Sequence, residues 1–329
     1  MGRARHVGRG GAPRTARADQ REAFREQAAH CEGRSPLYAE LCRRFADDRR
    51  VGALADGWQG RVPLQILGGL NYLVLGGEAS WDDVNAALEE HGEFLRRFVA
   101  EQPVQTNEVQ RSWVLLPLFL AALGDAEAHV VELGASAGLN LVWDRYRYRY
   151  AAGEWGPGDA PLELAGEERR PVPGELLARR PRLLSRVGID RSPIDAATEE
   201  GARLLRSFVW VGQEERLARL DRAIEALRAD PPPLVRGDAA EQLPRVLAGL
   251  PGDGVVLVFQ TSLFEYLGEE ARERIRDTID SADRELVFVA SGRPREVPRS
   301  WGMRIHRLGG RREFAGHADY HGTWLDYAL

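Results

Sequence analysis

From residue 130 onward, short apolar runs recur at 130–133, 187–189, 234–235, 255–259 and 286–290. Each is brief, rich in valine, leucine and isoleucine, and nearly free of polar positions. Strands of a parallel sheet read this way when helices cover both faces. The intervening segments carry apolar residues at helical spacing, so the alternation implies an α/β fold with a doubly wound, mostly parallel sheet. Strand-like pieces at 303–308 and 323–325, joined through Gly309-Gly310, add an expected terminal antiparallel hairpin.

Before residue 125 the chain reads as helical. Ser35-Pro36 is a helix start, with serine as N-cap and proline at the first helical position. An apolar helix over 62–75 is expected to be interrupted at Gly68-Gly69. Another starts at Ser80-Trp81-Asp82-Asp83 and runs to about residue 99. A last one spans 107–124, with Gly124 as its stop. The expected organisation is a disordered basic arm (1–18), a helical region (19–105) and a sheet domain (106–329) with an insert at 144–182. That insert opens with Tyr146-Arg147-Tyr148-Arg149-Tyr150, a period-two alternation that puts tyrosines on one face and arginines on the other. Three readings stay open for it: a hairpin packed by its tyrosines, a lid or substrate-recognition insert whose arginines meet an anionic group, and single-stranded nucleic acid stacked on the tyrosines; Tyr146 and Tyr148 are candidate substrate contacts.

Several function classes are excluded by composition. No run approaches the ~20 apolar residues of a membrane span. The first residues are basic but lack the apolar segment of a signal peptide. Two cysteines, Cys31 and Cys42, without ligand spacing suit a reducing cytoplasm, and no metal site is expected. A net charge of −5, with arginine spread along the chain and no lysine, gives no general affinity for nucleic acid. The expected partner is a small molecule, and association as a homodimer is left open.

The chemistry concentrates around Glu132-Leu133-Gly134-Ala135-Ser136-Ala137-Gly138. Read as Gly-x-Ser-x-Gly, the loop matches the nucleophile elbow of a serine hydrolase acting through Ser136. Read with Glu132, it is a cofactor cradle between a strand and a helix opening at Leu139. The elbow normally follows earlier strands and an oxyanion loop, whereas here helices precede it. The cradle reading asks for further strand-end acids, and Asp190 and Asp238 stand after the second and third runs. The first can hold ribose hydroxyls in a fork, and the second, with Ala239, can recognise an adenine edge.

Other candidates follow from position. If the helix over 107–124 packs antiparallel to the first strand, its start returns to the strand's carboxyl end. Asn107, Glu108 and Arg111 then lie near the loop, with Arg111 suited to a carboxylate. His317 and His321 are candidate bases, since histidine titrates near neutrality. Glu265 and Tyr266, after the fourth run, are placed to line an acceptor pocket.

From about residue 107 to its end the chain resembles class I S-adenosylmethionine (SAM) dependent methyltransferases, on the Glu132–loop motif, Gly188-Ile189-Asp190 and Gly237-Asp238-Ala239. Over nearly its full length it also resembles an uncharacterised bacterial family, domain of unknown function 2332. The motifs carrying this are Thr106-Asn107-Glu108, the loop from Glu132 with Leu139-Asn140, Tyr146-Arg147-Tyr148, Gly188-Ile189-Asp190, Arg236-Gly237-Asp238-Ala239 and His321-Gly322. The first resemblance implies a Rossmann-like methyltransferase sheet and SAM as cofactor, held by Glu132, Gly134, Ala135, Ser136, Gly138, Asn140, Asp190, Asp238, Ala239 and Gln260. It implies methyl transfer to a small-molecule oxygen or nitrogen. Gln260-Thr261-Ser262-Leu263-Phe264 stands where amino-group methylases carry Asn/Asp-Pro-Pro-Tyr, which argues against DNA adenine-type methylation. The alternatives are the serine hydrolase and a non-catalytic SAM- or nucleotide-binding protein.

Overall fold

A computed structural model describes residues 15–54, 62–106, 108–292, 300–308, 310 and 312–329. The chain divides into two compact units, one of residues 1–105 and 206–214, the other of residues 106–205 and 215–329. No helix among the described residues is long and apolar enough to cross a membrane.

The first unit holds α1 (Thr15–Cys31), α2 (Pro36–Phe45), α3 (Arg49–Leu54), α4 (Val62–Leu75), α5 (Val84–Glu90) and α6 (Gly92–Glu101). Most of the arm expected at 1–18 lies outside the described residues, and α1 begins at Thr15. The start of α2 is the expected one, with Ser35 accepting from the Tyr38 N–H and Pro36 opening the helix. In contrast, α4 runs through Gly68-Gly69 without interruption. These glycines make room for neighbours, because a Cβ on Gly68 would lie 2.9 Å from the Phe208 ring and one on Gly69 2.9 Å from Leu95. The helix expected over 80–99 breaks at His91 into α5 and α6. Phe24, Tyr38, Leu41, Phe45, Ile66 and Leu70 are among the side chains that close this unit's own core.

The second unit begins with α7 (Arg111–Leu123) and β1 (Glu127–Leu133), followed by β2 (Arg147–Tyr150), β3 (Gly153–Trp155), β4 (Glu163–Ala165), β5 (Glu167–Arg170) and β6 (Arg182–Asp190). It continues through α8 (Glu199–Ser207), α9 (Glu214–Arg228), β7 (Leu234–Arg236), α10 (Ala239–Gly249), β8 (Val255–Gln260) and α11 (Glu269–Asp280). Strands β9 (Leu286–Gly292), β10 (Ser300–Arg307), β11 (Arg312–Asp319) and β12 (Trp324–Tyr327) complete it. All five apolar runs are strands. The nine-stranded sheet has the order β5-β12-β11-β10-β9-β8-β1-β6-β7. Strands β7, β6, β1, β8 and β9 pair parallel, while β9, β10, β11 and β12 form antiparallel pairs. The sheet is therefore mixed, and the terminal antiparallel part is larger than the expected hairpin.

Side-chain alternation along the strands divides the core. Val131 and Leu133 of β1 join Val256 and Val258 of β8 and Ile275 and Ile279 of α11 on one face. On the other face Phe119 of α7 meets Phe259 edge-on, ring centroids 5.0 Å apart. Glu132 is the register partner of Phe259, so it shares that second face.

The insert behaves as its alternation predicts. Tyr146, Tyr148 and Tyr150 are buried, while Arg147 pairs with Glu154 and Arg149 reaches Glu163. Its β5 extends the main sheet beside β12.

The helix expected to open at Leu139 does not form, and turns lead instead to a single 3-10 turn, Trp143–Arg145. Leu139, Leu141, Val142 and Trp143 are all buried, so no polar face remains for a surface helix. The Tyr146 and Tyr148 hydroxyls donate to the Leu139 and Trp143 carbonyls, both at 2.7 Å, satisfying acceptors that a helix would have used.

Candidate functional site

Strands β6 and β7 extend the sheet on one side of β1, and β8 and β9 on the other. The chain thus reverses its winding direction between β1 and β8, and ligands of open α/β sheets enter the crevice beyond the carboxyl ends at such a point. Two further segments arrive there. The β10–β11 pair starts and ends at Ser300 and Asp319, which are in register, so Trp301 and the turn after Asp319 lie at this end of the sheet. The start of α7 returns to it as well. Ser112 donates to Asn140 at 2.8 Å, and Arg111 Nη1 donates to the Thr261 hydroxyl at 3.4 Å. The helix packs on β8 and β9 rather than on β1 as expected from segment lengths, with Phe119 against Phe259, and the return of its start to this end of the sheet positions both contacts.

Glu132 is at the centre. It is 2% exposed, Asn140 Nδ2 donates to Oε1 at 3.5 Å, and Oε2 has no hydrogen-bond partner among the described residues. Burial pushes its carboxyl well above the usual range, against the opposing pull of Asn140, while Asp190 adds to the rise and Arg111 lowers it. The loop beyond is shaped by left-handed backbone: Gly134, Ser136 and Gly138 have φ of 76°, 53° and 77°. It is tied to the end of β6, where the Gly134 N–H donates to the Ile189 carbonyl at 2.8 Å and the Ser136 N–H to Asp190 Oδ2 at 2.8 Å. Ala135 packs on Gly188, where an added Cβ would meet the Ala135 methyl at 2.6 Å.

Arg111 is 5% exposed and anchored from several sides. Its Nε donates to the Tyr320 carbonyl at 3.1 Å, and its guanidinium carbon lies 4.5 Å from the Trp301 ring centre and 4.9 Å from that of Tyr320. Nη2 has no acceptor. Burial pushes the Tyr320 phenol up, but the nearby Ser262 hydroxyl and Arg111 guanidinium outweigh it, and the phenol is held below its ordinary value. Glu265 and Tyr266 act on the same phenol, which places both beside Tyr320; the Tyr266 ring is exposed.

Glu108 is the hub of a buried ion cluster. Oε2 lies 3.1 Å from Arg216 Nε and 3.3 Å from His321 Nδ1, and Oε1 lies 3.7 Å from Arg219 Nη2. Burial alone would push its carboxyl up, yet His321, Arg216 and Arg219 hold it below the usual range. Glu108 is therefore a buried anchor of the site wall, with both oxygens engaged. His321 hangs half-exposed at its edge.

The other expected residues are more dispersed. Asp190 lies at the end of β6, but its Oδ2 and Oδ1 accept from the Ser136 and Ser192 amides, both at 2.8 Å. Asp238 caps α10 through the Ala240 N–H at 2.9 Å and pairs with Arg191, and Ala239 is buried in the first turn. Gln260 is fully buried, donating to the Ser291 carbonyl at 2.6 Å and accepting from the Phe264 N–H at 3.4 Å. His317 sits within β11, opposite Asp326 of β12 and 4.8 Å from the Phe314 ring centre. Tyr146 and Tyr148 are core, their hydroxyls taken by backbone carbonyls. Asn107 lies outside the described residues. Among the described residues no group of three or more His, Cys, Asp or Glu side chains could hold a metal ion. A separate cleft of about 590 Å³, lined by Glu127, Asp253, Arg284 and their neighbours, opens at the opposite ends of β1, β8 and β9.

Sequence reading missed Ser112, Thr261, Trp301, Tyr320, Arg216 and Arg219. For the last two a signal existed, because arginines three apart share a helix face. Trp301 and Tyr320 are far from the motifs in sequence and meet Arg111 only through the antiparallel strands.

A family model described as "Uncharacterized protein conserved in bacteria (DUF2332)" matches residues 21–327. No curated protein and no solved structure matches the chain.

Proposed function

The chain belongs to that bacterial family, and from this premise we propose that it binds S-adenosylmethionine at the β1–β8 crevice and transfers its methyl group to a small-molecule oxygen or nitrogen. The observation that carries the reading is Glu132 Oε2, a buried carboxyl oxygen without a partner among the described residues, beside a loop of left-handed small residues. Such a group calls for a polar partner from a ligand, and the cationic amino group of a methionine-like moiety, which favours the ionised carboxylate, is one. The strand order β7-β6-β1-β8-β9, with β1 at the switch point, supports it as fold-level analogy. The fit is better at Glu132 and the loop than at Asp190 and Asp238, whose oxygens already serve backbone amides and Arg191.

When bound, SAM supplies an electrophilic methyl group, taken by an acceptor lone pair as the carbon–sulfur bond breaks toward sulfur. The chain's own residues bind and orient. Glu132, steadied by Asn140, which Ser112 holds in turn, would hold the amino group. The backbone of 134–138 gives close approach. Arg111, Trp301 and Tyr320 wall the acceptor side, and alignment of reactants contributes most of the rate. His321 and Tyr320 are the groups placed to take a proton from the acceptor.

S-adenosylhomocysteine (SAH) tests the reading by thermal shift. At 100 times Kd a native-state ligand adds ~2.7 kcal/mol, a rise of a few degrees for a domain of this size. Wild type should shift and Glu132→Ala should not; a wild type indifferent to millimolar SAH would refute the proposal. Binding without turnover on any acceptor would assign a non-catalytic SAM-binding role. The hydrolase reading keeps one observation, the positive φ of Ser136 between two glycines. Labelling by a fluorophosphonate probe that vanishes in Ser136→Ala would favour it.

A further inference from the structure

Arg111 is anchored with one edge to spare. Nε and Nη1 donate to the Tyr320 carbonyl and the Thr261 hydroxyl, whereas Nη2 is buried and has no acceptor among the described residues. The aromatic faces of Trp301 and Tyr320 shield the guanidinium from water. Among the described residues no carboxylate forms an ion pair with it. Glu108 acts on it from nearby but is ion-paired with Arg216 and His321, and Arg219 leans on it. The Arg219 side chain is 26% exposed and therefore screened by solvent. A buried guanidinium nitrogen without an acceptor is costly, and its N–H groups match carboxylate oxygens.

We infer that the methyl acceptor carries a carboxylate, and that Arg111 Nη2 receives it. The inference rests on the reading of this crevice as a methyltransferase site and narrows its substrate to a small carboxylic acid. The acid anchors the molecule, leaving a separate oxygen or nitrogen of the same molecule to face the methyl donor. One free nitrogen between the Trp301 and Tyr320 rings suits the small, flat carboxylate group. Arg111 is then a binding residue.

Acetate, the minimal carboxylate, tests this on the full chain with SAH as an independent second probe. Sodium acetate should raise the melting temperature of wild type more than sodium chloride at the same ionic strength, with or without saturating SAH. Arg111→Gln should weaken acetate by about 10- to 100-fold, the loss of one charge-assisted hydrogen bond, and leave SAH affinity unchanged. Arg111→Lys should keep part of the acetate response. Should Arg111→Gln fail to fold, wild type and the lysine variant carry the comparison. An acetate response no larger than chloride, in a wild type that binds SAH, overturns the inference, because water then satisfies Nη2. Loss of SAH rather than acetate in Arg111→Gln also overturns it, because the guanidinium then belongs to the cofactor's own carboxylate. Acetate binding without SAH binding would sink the methyltransferase reading and leave the carboxylate site standing.

Discussion

Asn140 Nδ2 donates to Glu132 Oε1 at 3.5 Å, while Oε2 of the same carboxyl, also buried, meets no partner among the described residues. One side of the group is thus held by the fold and the other is left unsatisfied by it, and the pair can be tested by separating stability from binding.

Glu132→Gln should stabilise the ligand-free protein at neutral pH while weakening SAH. Burial raises the Glu132 pKa, so the folded state holds its proton where the unfolded state releases it. Stability from this group is complete below the unfolded value, ~4.3, and is lost as pH rises through the folded one. The amide carries no such charge. Denaturant titrations across pH should give a shallower decline for the variant above about pH 5. Equal slopes for the two proteins would place the Glu132 pKa at its ordinary value.

Glu108→Gln should destabilise strongly. It leaves Arg216, and in part Arg219 and His321, without their buried counter-charge, and breaking a buried pair on one side costs ~3–5 kcal/mol. Because the Glu108 pKa is lowered, its contribution is present above the unfolded value and disappears as pH falls through the folded one. Calorimetry at neutral pH should show a large loss, and at acid pH the two proteins should converge. A variant within ~0.5 kcal/mol of wild type, the range of neutral surface changes, would show that the cluster is not load-carrying.

Gly188→Ala should act on the loop from beneath. The new methyl would sit 2.6 Å from the Ala135 Cβ and from a Leu234 methyl, so the loop or the strand must move. Overpacking of this kind costs ~1–3 kcal/mol. Since Ala135 belongs to the cradle, SAH affinity should fall with stability. Unchanged affinity in a destabilised protein would separate the loop from the ligand.

The strands were legible because each is a continuous apolar run, and a buried parallel strand has no other way to be written. The return of Arg111 to the carboxyl end of the sheet was also legible from the length of α7, although the helix lies on β8 and β9 and not on β1. What followed the loop was not. Leu139 to Trp143 look like a helix opening, and only the hydroxyls of Tyr146 and Tyr148, bonded back to that segment, make it a turn. The acids after β6 and β7 illustrate a second limit. A strand-end aspartate reads the same whether it faces a ribose or, as with Asp190 and Asp238, caps backbone amides. Trp301 and Tyr320 stood outside any local pattern, because their meeting with Arg111 is a product of the β10–β11 register.

Tyr148→Phe tests the same turn through stability alone. The ring stays in the core and keeps its packing, but the Trp143 carbonyl loses its 2.7 Å donor inside the protein. An unsatisfied buried acceptor costs ~1–3 kcal/mol. Denaturant unfolding should report a loss in that range, with the m-value unchanged because the surface exposed on unfolding is the same. SAH affinity should not change, since the hydroxyl faces the backbone and not the crevice. A Tyr148→Phe protein of wild-type stability with weakened SAH would move Tyr148 from the packing of the insert into the binding site.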